Sequence, residues 1–225
     1  MAETTALPRG AALDGAAPLR SAADFRTIGE RAVRCGHYCW LESRLFALTG
    51  RWASAPVSDG AAESGDVGEV GHAIGPEIRV RCSQMSSWHG FLAGQWRDRL
   101  PVRAGVDVDA LIVPPPGHAA AALALLGAES DLLSALGGLV ESILPPLLSA
   151  YDDDFDHASP VSELPVLAVL ELARLRAPQE IEAGRDLLGR GAGAGEVAEK
   201  VANLQGRLQQ ALGPDGGIFP AACAS

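Results

Sequence analysis

The stretch from Trp88 to Trp96, WHGFLAGQW, sets one of the chain's five histidines between two tryptophans. Around it, Ile78, Cys82, Met85, His89, Leu92 and Trp96 recur at alternating steps of four and three residues. That period puts all six on one face of a helix. His89 therefore belongs to an inward face. A neutral imidazole there can ligate a metal, act as a base, or sit in the core with a nitrogen hydrogen-bonded.

Glu42 poses the same question. It lies in register with Ile28, Ala32, Cys35, Cys39 and Phe46. A carboxylate turned inward must be paired, hydrogen-bonded or bound to metal, because burying it alone is costly. The other outcome is that it reaches solvent at the edge of the helix packing.

Other residue types suggest weaker chemistry. Cys35 and Cys39 are four apart on one helical face, geometry that two zinc ligands could share. No second Cys/His pair has the spacing of a structural site, so they read as small buried hydrophobes, with Cys82 expected to face them from the second helix. Asp152, Asp153, Asp154 and Asp156, with His157, read as a solvated acidic loop. They lack the glycine and terminal glutamate of a calcium loop. Glu69 and His72 form a literal Glu-x-x-His, but the glycines around it argue against a helix there. No Gly-x-Ser-x-Gly, P-loop or dinucleotide fingerprint is present.

The elements that must hold these residues follow from periodicity and punctuation. Residues 1–20 lack periodicity and read as disordered. A helix is expected over 21–49, started by Ser21 or Asp24 and stopped by Gly50. Residues 51–75 read as a flexible connection. A second helix is expected from Pro76 to about residue 100, where Pro101 ends it, with Gly90 and Gly94 allowing a close helix contact. After an irregular crossover comes a short helix over 118–126. A long helix over 130–151 follows, in which Pro145 and Pro146 require a kink or restart. Another long helix spans 160–188, with Pro178 threatening its middle. The glycines of 189–195 make a hinge. A last helix over 196–212 carries Val197, Val201, Leu204, Leu208 and Leu212 as one apolar stripe, which must be covered by its own chain or by another copy. No strand pattern competes. The expected organisation is a helical domain over 21–188 followed by a hinge, amphipathic helix and tail over 189–225.

The bulk numbers bound the function. The formal charge is −10, and Lys200 is the single lysine. Without a basic face the chain is not expected to bind nucleic acid. The uncharged run 110–128 contains Pro114, Pro115, Pro116 and His118, which argues against a membrane span. The N-terminus lacks the apolar core of a signal peptide, so the cytoplasm is the expected location.

Two stretches, YCWLESRLFALTGRW and SSWHGFLAGQWRDRLP, resemble ferritin-like four-helix bundles of the di-iron carboxylate type. The resemblance implies an all-α bundle with a long middle crossover, here with an extra C-terminal helix. It implies a glutamate on the first and third helices and a Glu-x-x-His on the second and fourth. Glu42 and His89 match the first carboxylate and the second-helix histidine, and Ser86 stands where that motif's glutamate belongs. Glu141 matches the third-helix carboxylate. Glu171 matches the fourth, with Arg174 where a histidine is expected.

The expected metal set is thus Glu42, His89, Glu141 and Glu171, too few for two irons. Arg174 is expected to turn inward and replace the metal by neutralising a carboxylate. The expected function is a binding or structural module with an incomplete di-iron site. The alternatives are an iron- or manganese-dependent oxidoreductase using His89, Glu42 and Glu141, and an assembly protein whose last helix docks on a partner or a second copy.

Overall fold

The computed structural model describes residues 25–55, 69–102, 105, 107–191, 195–214 and 217–219, with backbone alone at 69–74, 196 and 197. Among them are six helices and no strand. In chain order they are α1 (Ile28–Ser54), α2 (Glu69–Arg97), α3 (Ala119–Gly127), α4 (Leu132–Asp156), α5 (Leu164–Gly191) and α6 (Gly195–Leu212). A single 3-10 turn, Asp109–Leu111, marks the connection before α3. The all-α expectation is met. The expected segment 1–20 lies outside the described residues.

Several boundaries differ from expectation. α1 starts at Ile28, because Thr27 forms a reciprocal capping box with Glu30: each side chain satisfies a backbone N–H of the other. Ser21 and Asp24 lie outside the described residues. Gly50 does not stop α1. A Cβ there would lie 3.0 Å from the Ser86 hydroxyl, so glycine admits α2 at close range. Gly90 does the same from the other side, where a Cβ would meet the Phe46 ring at 3.0 Å, while Gly94 faces open space. α2 begins at Glu69 and takes in Glu69 and His72, a stretch expected to be a loop, so that Pro76, expected in the first turn, lies inside the helix.

The acidic stretch is a second correction. Residues 151–156 are the last turns of α4, and Asp154 is fully buried. The loop reading failed because the aspartates' partners, three arginines near the start of α1, are distant in sequence.

α4 accommodates Pro145 and Pro146 by widening. Residues Leu139–Ile143 form a π turn, in which the Leu144 N–H reaches back five residues to the Leu139 carbonyl. The prolines lack N–H groups and their rings crowd the carbonyls four residues earlier. The extra residue in the turn relieves this and advances the inward face by one position. α5 runs through Pro178 without a break, held by Ala173, Ala177 and Ile181 on its buried side.

Long-range pairs give the arrangement. α1 and α2 are antiparallel, with Cys39 near Ala93 and Phe46 near Ser86. α5 is antiparallel to α2, joining Glu77 to Arg190 and Glu180 to His89. It is also antiparallel to α4, joining Glu141 to Arg185 and Asp152 to Arg174. α4 returns to α1 through Tyr38 with Ala150 and Asp154. The four long helices thus close a ring in which every neighbour is antiparallel. Consequently α2 and α4, consecutive long helices, run in the same direction, and the connection between them must travel their length.

α6 lies along α3 and the first half of α4. Leu204, Leu208 and Leu212 are buried. They sit over Gly137 and Gly138, where a Cβ would meet Val201 at 2.7 Å and Leu208 at 2.8 Å. These three leucines are covered by their own chain. α4 is long and apolar enough to cross a membrane by length and composition, and 61% of its apolar window is buried against the other helices.

Candidate functional site

Each of the four long helices sends one polar side chain to a common point in the core. Glu42 comes from α1, His89 from α2, Tyr151 from α4 and Glu180 from α5. Their relative exposures are 1%, 2%, 1% and 1%. His89 Nδ1 lies 2.6 Å from Glu42 Oε2, so it carries the proton of that bond. The Tyr151 hydroxyl donates to the other oxygen of Glu42. On the far side, His89 Nε2 is 3.6 Å from Glu180 Oε2. Arg176 approaches Glu180 from one turn earlier, its Nε 3.4 Å from Oε1. His89 Nε2 and Glu180 Oε1 have no hydrogen-bond partner.

The electrostatics follow from this geometry. Burial disfavours the imidazolium, but the charge and hydrogen bond of Glu42, with the charge of Glu180, outweigh it and raise the His89 pKa. Burial raises that of Glu180, against the pull of His89, Arg81 and Arg176. For Tyr151, burial and the adjacent Glu42 charge hold the phenol protonated.

A second buried polar group sits one to two turns away. Asp154 Oδ2 accepts from the Tyr38 hydroxyl and from Arg34 Nε, both at 2.5 Å, and Oδ1 accepts from Arg26 at 2.6 Å and Arg31 at 3.2 Å. Burial alone would raise its pKa, but Arg34, Tyr38 and Arg26 lower it on balance. Arg31 also binds Glu163 at 2.6 Å, tying α1 to the segment before α5. An aromatic stack joins the two groups. Tyr38 stacks on Trp96 with centroids 4.8 Å apart, and meets the Tyr151 ring at 4.8 Å.

The structure brings Glu42 and His89 together and places the other named residues elsewhere. Glu141 lies in the π turn and faces outward, bound through both oxygens to Arg185 at 2.8 and 2.7 Å. Glu171 is exposed on α5. Arg174 does not turn inward: it pairs with Asp152 at 2.5 Å and lies over the Phe155 ring. Ser86 is buried and donates to the Phe46 carbonyl. Cys35, Cys39 and Cys82 are buried free thiols. Burial pushes Cys35 and Cys82 up to about 12, which makes them poor nucleophiles and ligands.

Glu180 was legible in principle. It stands in register with Ala173, Ala177, Gly184 and Leu187, at steps of four and three. The small residues of that stripe made it a faint apolar face. Tyr151 and Asp154 were hidden because the π turn advances the face of α4 after residue 143.

The donor set does not fit a two-metal centre. Both oxygens of Glu42 are engaged, leaving His89 Nε2 and Glu180 with Arg176 and Arg81 close by. Among the described residues no group of three or more His, Cys, Asp or Glu side chains is arranged to hold a metal ion.

Comparison with known proteins adds no class: no family model, curated protein or solved structure matches the chain.

Proposed function

We propose that this chain is a ferritin-like four-helix bundle in which protein groups occupy the place of a metal pair, and that it serves as a binding or structural module. Two features support the bundle. One is the closed ring of four helices; the other is the parallel course of α2 and α4, which demands a single long crossover of the kind ferritin-like folds use. The observation that carries the function is the buried line Glu42–His89–Glu180. There a charged imidazole bridges two carboxylates and does electrostatically what a cation would do, with Tyr151 and Arg176 completing the set. Such a centre ties the four helices together through charge and the Tyr151 hydrogen bond.

Metal analysis tests this. The purified protein, incubated with iron(II) or manganese(II) and desalted, is expected to retain far less than one metal per chain. Stoichiometric metal in the wild type, lost in His89→Ala, would overturn the reading and favour a metal-dependent oxidoreductase.

A further inference from the structure

Beyond α6 the chain doubles back. Gly213 takes a positive φ of 81°, and residues 217–219 return to α1. There Ile218 is 1% and Phe219 9% exposed. The Phe219 ring meets Tyr38 edge-on at 5.2 Å and His37 at 6.0 Å, and the Arg34 guanidinium lies over it at 3.3 Å. Arg34 and Tyr38 are also the two groups that close on Asp154 Oδ2. Phe219 thus presses on the residues that hold the second buried carboxylate. It also forms one wall of a groove lined by Arg26, Glu30, Val33, His37 and Pro116.

The way this segment is held sets it apart. Among the described residues, 217–219 make no hydrogen bond to the rest of the chain. Two side chains anchor it, and no backbone ladder does. Segments with few hydrogen bonds open locally at far less cost than the whole fold. We propose that Ile218–Phe219 is a releasable strap, which in its docked state holds Arg34 on Asp154 and closes Tyr38 off from the groove beside it. When the strap lifts, the guanidinium loses its aromatic seat and the Tyr38 face joins the groove. Glu42, His89 and Glu180 are untouched, so the strap does not rest on the function proposed above.

The chain's two tyrosines make the test direct. Protein labelled with 3-fluorotyrosine should give two fluorine resonances, Tyr38 and Tyr151, assigned with Tyr38→Phe. In Phe219→Ala the Tyr38 resonance should move and the Tyr151 resonance stay. Amide exchange in the first half of α1 should quicken by about tenfold while that of α5 is unchanged. In the wild type, relaxation dispersion should show Tyr38, and not Tyr151, exchanging with a minor state whose shift matches Phe219→Ala. If that variant does not fold, Phe219→Leu, which fills the slot without a ring, should move Tyr38 in the same direction to a smaller extent. Equal movement of both resonances, an unmoved Tyr38, or a wild type without exchange at Tyr38 would each overturn the strap.

Discussion

His89 is the side chain on which two buried carboxylates depend. Removing one partner of a buried charged pair leaves the other uncompensated and typically costs about 3–5 kcal/mol. His89→Ala is therefore expected to lower the unfolding free energy by that amount, from urea titration read by circular dichroism, and Glu180→Gln by less, since the amide keeps an acceptor oxygen near Nε2. Arg174 gives the opposite expectation. Its pair with Asp152 is half exposed, so Arg174→Ala should cost no more than about 1 kcal/mol.

The pH dependence follows from signs. The folded pKa of His89 lies above its ordinary 6.5. Its contribution is complete below that value and is lost as pH rises through the folded pKa. Glu180 is also raised, from 4.5, and its contribution fades as pH rises through its folded value. Asp154 is lowered from 3.8, so its contribution holds above that value and is lost as pH falls through the folded pKa. Stability measured by urea titration should thus peak on the acid side of neutrality and decline at higher pH. His89→Gln should flatten the alkaline limb and leave the acid limb, owed to Asp154, in place.

At the scale of the element, glycine separates contact from propensity. Gly184 on α5 faces Val140 on α4, and a Cβ there would run into a branched side chain with little rotamer freedom. Gly184→Ala should cost about 1–3 kcal/mol by overpacking. Gly206 lies in the middle of α6 with nothing within 4 Å of an added Cβ. Gly206→Ala should raise stability by up to about 1 kcal/mol through helix propensity alone. Thermal denaturation of the two variants side by side checks both signs. The π turn of α4 is an element-scale feature of another kind: two adjacent prolines force it, and it turns Tyr151 and Asp154 toward the core.

At the scale of the molecule, α6 belongs to the fold it covers. Leu204 and Leu208 are 1% and 0% exposed, against α3 and α4 of the same chain. Each Leu→Ala substitution at such a site costs about 2–5 kcal/mol. The pair Leu204→Ala/Leu208→Ala should therefore destabilise the whole protein and bind a hydrophobic dye. Light scattering adds a control. A variant that keeps its stability but changes from oligomer to monomer would show that the stripe serves a second copy instead.

Helix content, the inward stripe of α2, the middle of the α1 stripe, the Leu204, Leu208 and Leu212 stretch of α6, and the inward placement of Glu42 and His89 were legible in the sequence; Ile28 and Phe46, the ends of the expected α1 stripe, are exposed. They depend on a period of 3.6 residues, which neighbours along the chain declare by themselves. The rest was decided in three dimensions. Glu180 joins His89 across 91 positions, Tyr151 joins Glu42 across 109 and Asp154 joins Tyr38 across 116. Local patterns carry no trace of such partners. Asp154, expected in solvent, became helical and buried because Arg26, Arg31 and Arg34 neutralise it. Glu141 meets its own counter-charge, Arg185 of α5, on the flank of α4 and not in the core. A buried charge is tolerated only where its counter-charge arrives, and that is a property of packing between helices, which no single helix can specify.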